Sequence, residues 1–198
     1  MLTLCIDTAY KYLTCALISD EKILASVSLP CFKRQSEELF VVLEQIFSEA
    51  NIERKDIDSI CISEGPGSYT GVRIAMSLAK TIGEVLPVDV YTISTLRLYA
   101  AGNPSTMVIM NARANRAYVG VFNNNEIILE DHISEISEIN PMSYKVIGDG
   151  SLVNQIDDFG DIPLAFLKTK PVWKKVDRIA YLVPKYLKES ESYLKWLS

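Results

Sequence analysis

The run Gly65-Pro66-Gly67-Ser68-Tyr69-Thr70-Gly71-Val72-Arg73 packs three glycines, a proline and two small hydroxyls into one short stretch. Gly65 and Gly67 can take positive φ, and Pro66 fixes its own φ between them, which makes a tight turn. Ser68 or Thr70 can then cap a helix that starts near Gly71. A turn of this kind is built like a phosphate cradle, but no Gly-Lys-Ser/Thr follows, so it is not a Walker loop. The carboxylate best placed for catalysis, or for holding magnesium, is Asp7, with Thr8 beside it. The competing and favoured reading of Asp7 is an Asx turn that bonds its own backbone. Glu64, just before the glycine turn, is a second carboxylate or a solvated strand end. Arg73 and Arg113 can each face an anion or hold a structural partner, and for Arg73 the structural partner is favoured.

Other chemistry is missing. The chain of 198 residues has a single histidine, His132, whereas a metal site with two imidazoles on one helix face needs a pair about one turn apart. No metal site is therefore expected, and peptidase chemistry has no support. Cys5, Cys15, Cys31 and Cys61 form no C-x-x-C pair and read as reduced thiols, most of them inside apolar runs. The net charge of −5 argues against direct binding of nucleic-acid phosphates, which needs clustered Lys and Arg. No apolar run reaches the roughly 20 residues of a membrane span and no signal peptide is visible, so a cytoplasmic protein is expected.

The elements that must hold these residues follow from the apolar pattern. Strands are expected over residues 2–7, 12–19, 23–29, 57–63 and 88–93, with helices over 36–50, 71–86 and 94–101. Ser36 is the expected cap of the first helix and Ser94 or Thr95 of the third. After the breaker Gly102-Asn103-Pro104-Ser105 the order begins again, with strands over 106–111, 116–122, 126–130 and 144–148 and a weak helix over 133–139. Terminal helices are expected over 179–187 and 190–197. Strand-strand-strand-helix-strand thus occurs twice, offset by about 104 residues, with Asp7 ending the first strand of one half and Asn111 that of the other. Two such units predict an α/β protein of the actin-like class, a duplicated ribonuclease H-like motif forming two lobes, residues 1–102 and 106–198, around one cleft. The turns facing that cleft carry Asp7-Thr8 and Asn111-Ala112-Arg113.

Ile6-Asp7-Thr8, the run Gly65 to Arg73, Ser94-Thr95-Leu96, Asn111-Ala112-Arg113 with Tyr118, and Pro184-Lys185-Tyr186-Leu187 resemble, in that order, the bacterial TsaB (YeaZ) family. The resemblance covers roughly the first 125 residues well. It implies a non-catalytic scaffold for tRNA threonylcarbamoyladenosine formation beside the anticodon. Its partners would be a TsaD-like transferase and a TsaE-like ATPase, with tRNA reached only through the complex and a homodimer formed by the chain alone. A separate synthase would supply threonylcarbamoyl-adenylate. Two departures stand out: Gln35-Ser36-Glu37 where relatives have His-Ser-Glu, and Asn111 where they have Asp. Asn cannot act as a general base. The cleft of Asp7, Thr8, Gly65, Gly67, Ser68, Asn111 and Arg113 is therefore read as vestigial, with no required cofactor and room only for weak nucleotide binding. The alternative is an active actin-like kinase or ATPase that uses Asp7.

Two helices carry more apolar surface than one sheet face needs. Leu39, Val42, Leu43 and Ile46 form a stripe on the first, with Phe40 and Phe47 beside it. Val72, Ala75, Met76, Ala79 and Ile82 belong to a nearly continuous apolar circumference on the second. Leu39, Val42, Leu43, Ile46, Val72, Ala75, Met76, Ala79 and Ile82 are the expected partner interface, favoured over packing beneath a terminal helix such as that over 190–197. Ala79→Arg is accordingly expected to break the complex and spare the fold.

Overall fold

The computed structural model describes residues 1–31 and 34–187. β1 (Leu2–Asp7), β2 (Tyr12–Ser19) and β3 (Lys22–Pro30) form an antiparallel meander, and Asp7 faces Thr14 across the first pair. α1 (Gln35–Ala50) crosses over to β4 (Ser59–Ser63), which runs parallel to β1. The glycine turn leads into α2 (Tyr69–Val85), and β5 (Asp89–Ile93) then pairs parallel to β4. α3 (Thr95–Ala100) follows, its first turn capped by Ser94, whose hydroxyl accepts from the Arg97 N–H. Leu39, Val42, Leu43, Ile46 and Phe47 recur at helical spacing and seat α1 on β2 and β3. Ser36 lies inside the first turn of α1 and does not cap it; the capping position is Arg34, whose side chain makes no capping bond to the backbone.

The second sheet repeats the first. β6 (Thr106–Arg113), β7 (Arg116–Asn123), β8 (Glu126–Glu135) and β9 (Lys145–Gly148) lie in the order β8-β7-β6-β9, and the first sheet contains β3-β2-β1-β4 in the same sense. Together these make the two-lobed, actin-like arrangement. The expected helix over 133–139 does not form: β8 continues to Glu135, with Ile133 opposite Tyr118, and only a single 3-10 turn follows at Ile136–Glu138. Ile133, Ile136 and Ile139 mimic a helical stripe. In fact Ile133 packs between the lobes, while Ile136 and Ile139 pack on the outer face of the second sheet.

The chain beyond residue 160 returns to the first lobe. α4 (Ile162–Thr169) packs against α3, β2 and β3, and β10 (Lys174–Lys175) adds to the edge of β5. The described stretch from residue 162 to 182 thus packs on the first lobe. The helix expected over 179–187 is a 3-10 turn at Ile179–Tyr181 followed by extended chain. Pro184 cannot give a helical N–H, which accounts for the difference. The helix expected over 190–197 lies outside the described residues. Cys5, Ile18, Cys61 and Ile93 of the first sheet meet Val108, Met110 and Phe122 of the second in one apolar cluster that also holds α3 and Phe166 of α4. This part of the seam between the lobes is thus buried apolar core.

Candidate functional site: the cleft between the two turns

Asp7 ends β1 with no exposure to solvent. Its Oδ1 accepts from the Ala9 N–H at 3.0 Å and the Ser63 hydroxyl at 2.5 Å, and its Oδ2 accepts from the Tyr99 hydroxyl at 2.9 Å. Burial raises the Asp7 pKa above its usual value, and the bonds from Ser63, Ala9 and Tyr99 oppose that rise. Both oxygens are committed to the fold, in the Asx-turn manner. Thr8 is equally internal: its hydroxyl donates to the Gly71 carbonyl at 2.6 Å and accepts from the Ala75 N–H at 3.3 Å. This ties the β1–β2 turn to the first turns of α2.

The glycine turn fits against that pair. Gly65 has φ +103°, and Ser68 caps α2 by accepting from the Gly71 N–H at 3.2 Å. Gly67 does not use positive φ; it is glycine because a Cβ there would overlap the Ala9 carbonyl oxygen. Gly71 is held to glycine by the Thr8 carbonyl in the same way. Helix α2 starts at Tyr69, two residues before the expected Gly71.

A cavity of about 1000 Å3 opens beside the turn. Gly67, Ser68 and Thr70 line one part, Asn111, Ala112 and Arg113 another, with Tyr10, Lys11 and Gln35 between them. Among the described residues no Asp, Glu, His or Cys lines it. Asn111 bonds its own turn, accepting from the Arg113 N–H at 2.7 Å. Among the described residues this wall therefore offers no carboxylate as a ligand for magnesium.

Asp149 was not singled out by the sequence, yet it joins the two turns. It is 2% exposed and follows β9 between two glycines, as Pro66 follows β4. Its carboxylate accepts from the Tyr10 hydroxyl, from Lys11 Nζ at 2.5 Å and from the Asn111 N–H at 2.7 Å. Gln35, where the family pattern has His, donates its side-chain N–H to the Tyr10 carbonyl at 3.0 Å. The duplicated strand order was the available signal for Asp149: a Gly-x-Gly after the fourth strand of each half.

Arg73 has no carboxylate partner among the described residues. Its guanidinium lies 4.0 Å from the Tyr69 ring centre, and Nε donates to the Tyr186 hydroxyl at 2.8 Å. His132 sits on β8 with Nδ1 beside the Glu130 carbonyl. The cysteines are buried free thiols, and no cluster of three metal-binding side chains occurs among the described residues.

The expected interface residues need correction. Leu39, Val42, Leu43, Ile46, Val72, Ala75, Met76 and Ala79 are all buried in the core of the first lobe, and Ile82 is half-buried against it. The apparent excess on α2 is absorbed on two sides. The sheet takes one, and the returning tail takes the other, where Ile179 packs on Gly83 and Leu182 enters the core. What faces outward on α1 is Phe40, 67% exposed, with Val41, Glu44, Gln45 and Ser48; on α2 it is Arg73, Ser77, Thr81, Glu84 and Val85.

A two-lobed cleft with a glycine turn on one side defines the class to which the comparisons point. The family model described as TsaD: tRNA N6-adenosine threonylcarbamoyltransferase matches residues 30–190, and the chain belongs to that family. Over its full length it is similar to the tRNA threonylcarbamoyladenosine biosynthesis protein TsaB of Bacillus subtilis (strain 168), at 25% identity, covering 100% of this chain and 98% of that protein. It is 28% identical to the TsaB of Escherichia coli (strain K12) over 132 residues, 64% of this chain and 57% of that one. Its fold is that of YeaZ from Pseudomonas aeruginosa, with a TM-score of 0.77, 19% identity and coverage of 94% and 99%.

Proposed function

We propose that this chain works in tRNA threonylcarbamoyladenosine biosynthesis as a supporting subunit that does no chemistry itself. The likeness to the Bacillus subtilis relative over the whole chain supports the pathway. The observation that carries the supporting role is the cleft wall: Asp7 is consumed by three donors, Asn111 stands in the matching turn, and no acid lines the cavity among the described residues. Its partner is a TsaD-like transferase, assisted by a TsaE-like ATPase, and tRNA is engaged only through that complex. The acidic balance of the chain, −5 overall, fits an indirect contact with tRNA. The contact surface is the outward face of α1 and α2, where Phe40 and Val41 project and the small Ser77 and Thr81 permit close approach of another helix. In the absence of that partner a second copy of the chain takes the same face.

The test is reconstitution. tRNA is incubated with the synthase that makes threonylcarbamoyl-adenylate, the TsaD-like and TsaE-like proteins of the same organism, and this chain. Modified adenosine should form with all components and fall to background when this chain is left out. Full modification without it would refute the role, and ATP turnover by the isolated chain would return attention to Asp7.

A further inference from the structure

The segment Pro184-Lys185-Tyr186-Leu187 is the one conspicuous motif with no part in the reading above. It is not a loose tail. From Ile179 to Tyr186 the chain runs antiparallel to α2, from Gly83 at its C-terminal end to Tyr69 at its first turn. Leu182 is buried in the core of the first lobe. The Lys185 N–H donates to the Glu64 carbonyl at 2.8 Å, just ahead of the glycine turn, and the Lys185 carbonyl lies where a Cβ on Gly65 would meet it at 2.7 Å. Tyr186 stacks on Tyr69 with ring centres 5.3 Å apart and accepts from Arg73. Leu187 packs against the inter-lobe cluster that includes Tyr10, Ala112 and Tyr118.

The same segment reaches the second lobe. Lys185 Nζ sits 2.9 Å from Asp131 Oδ2 on β8, a carboxylate whose side chain is 3% exposed and which also accepts from Ser94 at the end of β5. One lysine therefore ties the glycine turn, the first lobe and the second lobe together, while its neighbours form part of the cavity wall. The attachments of Lys185 and Tyr186 are polar or stacked, and both of these side chains are partly exposed. Such contacts open locally at a lower cost than the core does.

We infer that residues 184–187, beyond the buried anchor Leu182, are a displaceable strap, which holds the glycine turn and the start of α2 in place and controls access to the cleft. The inference does not depend on the chain's role in tRNA modification.

The test uses a reporter thiol in the cavity. Ala112 lines the cavity and is 2% exposed, so Ala112→Cys is introduced into the full chain and its reaction with a maleimide is timed. In the double variant Lys185→Ala, Tyr186→Ala the reporter should react roughly tenfold faster, as expected for loss of one charged bond and one stacked contact. Amide exchange over residues 65–71 should quicken alongside it. The buried thiols of Cys5 and Cys61 should keep their slow reaction, which shows that the core is closed. Asp131→Asn is the milder variant: it loosens Lys185 and leaves the Tyr69–Tyr186 stack intact, and it should give a smaller increase. Unchanged labelling of the reporter in both variants would overturn the strap. So would acceleration of the reporter matched at Cys5 and Cys61, because that reports general loosening.

Discussion

Asp7, the carboxylate the sequence offers either to catalysis or to an Asx turn, has both oxygens hydrogen-bonded within the fold. Its three donors come from the β1–β2 turn, from β4 and from α3. Asp7→Ala leaves those donors facing a void and should cost roughly 2–4 kcal/mol in urea unfolding. The pH dependence has a definite sign. Burial raises the folded pKa above the ordinary 3.8, so the folded state favours the protonated form. The stability Asp7 contributes is full below 3.8 and is lost as pH rises through the folded value. The stability difference between the parent chain and Asp7→Asn should therefore shrink with rising pH in that window and flatten above it. Asp149 is the second test at this level. Removing its carboxylate strands the Tyr10 hydroxyl proton, leaves the Asn111 N–H only the Tyr10 oxygen as acceptor, and leaves Lys11, 40% exposed and still near Asp157, losing little by itself. Asp149→Ala should cost about 2–3 kcal/mol in the same assay.

Among the elements, the glycine turn and α2 were the most legible. Ser68 as cap and Gly65 at positive φ follow from residue type, and both are present. Gly71 was read as a helix start, but its real constraint is the Thr8 carbonyl from a strand far away in sequence, which no local pattern reveals. Gly71→Ala should destabilise by about 2–3 kcal/mol in urea unfolding, whereas a helical glycine free of that carbonyl would gain from the change. Helix α4 was missed although its signal was present. Asp161 accepts from the Leu164 N–H and Pro163 stands in the first turn, a start pattern that its short length obscured. The helix expected over 133–139 failed for the opposite reason: three isoleucines at helical spacing were divided between a strand and a cap over the second sheet.

For the molecule as a whole, the order of strands gave the two-lobed plan, because the repeat is one of topology and survives without shared residues. What the order could not reveal is which apolar face meets which neighbour. The returning tail covers α2, so residues that looked like interface are core, and the outward face is made of Phe40, Val41, Ser77 and Thr81. Ala79, fully buried, is therefore no interface probe. Ala79→Arg should unfold the first lobe, seen as loss of the cooperative transition, because an unpaired cation cannot stay in that core. Phe40→Glu and Thr81→Arg, both on the exposed face, should change stability by no more than about 0.5 kcal/mol.

Light scattering on a sizing column then decides whether this is a supporting subunit. The chain is run alone and mixed with the TsaD-like protein of its own organism, and the mixture is repeated with the Phe40→Glu, Thr81→Arg double variant. A one-to-one heterodimer with the parent chain that disappears with the folded variant is the expected result. A parent chain that elutes unchanged beside the TsaD-like protein would contradict the supporting role, and a heterodimer that survives the variant would move the contact away from α1 and α2.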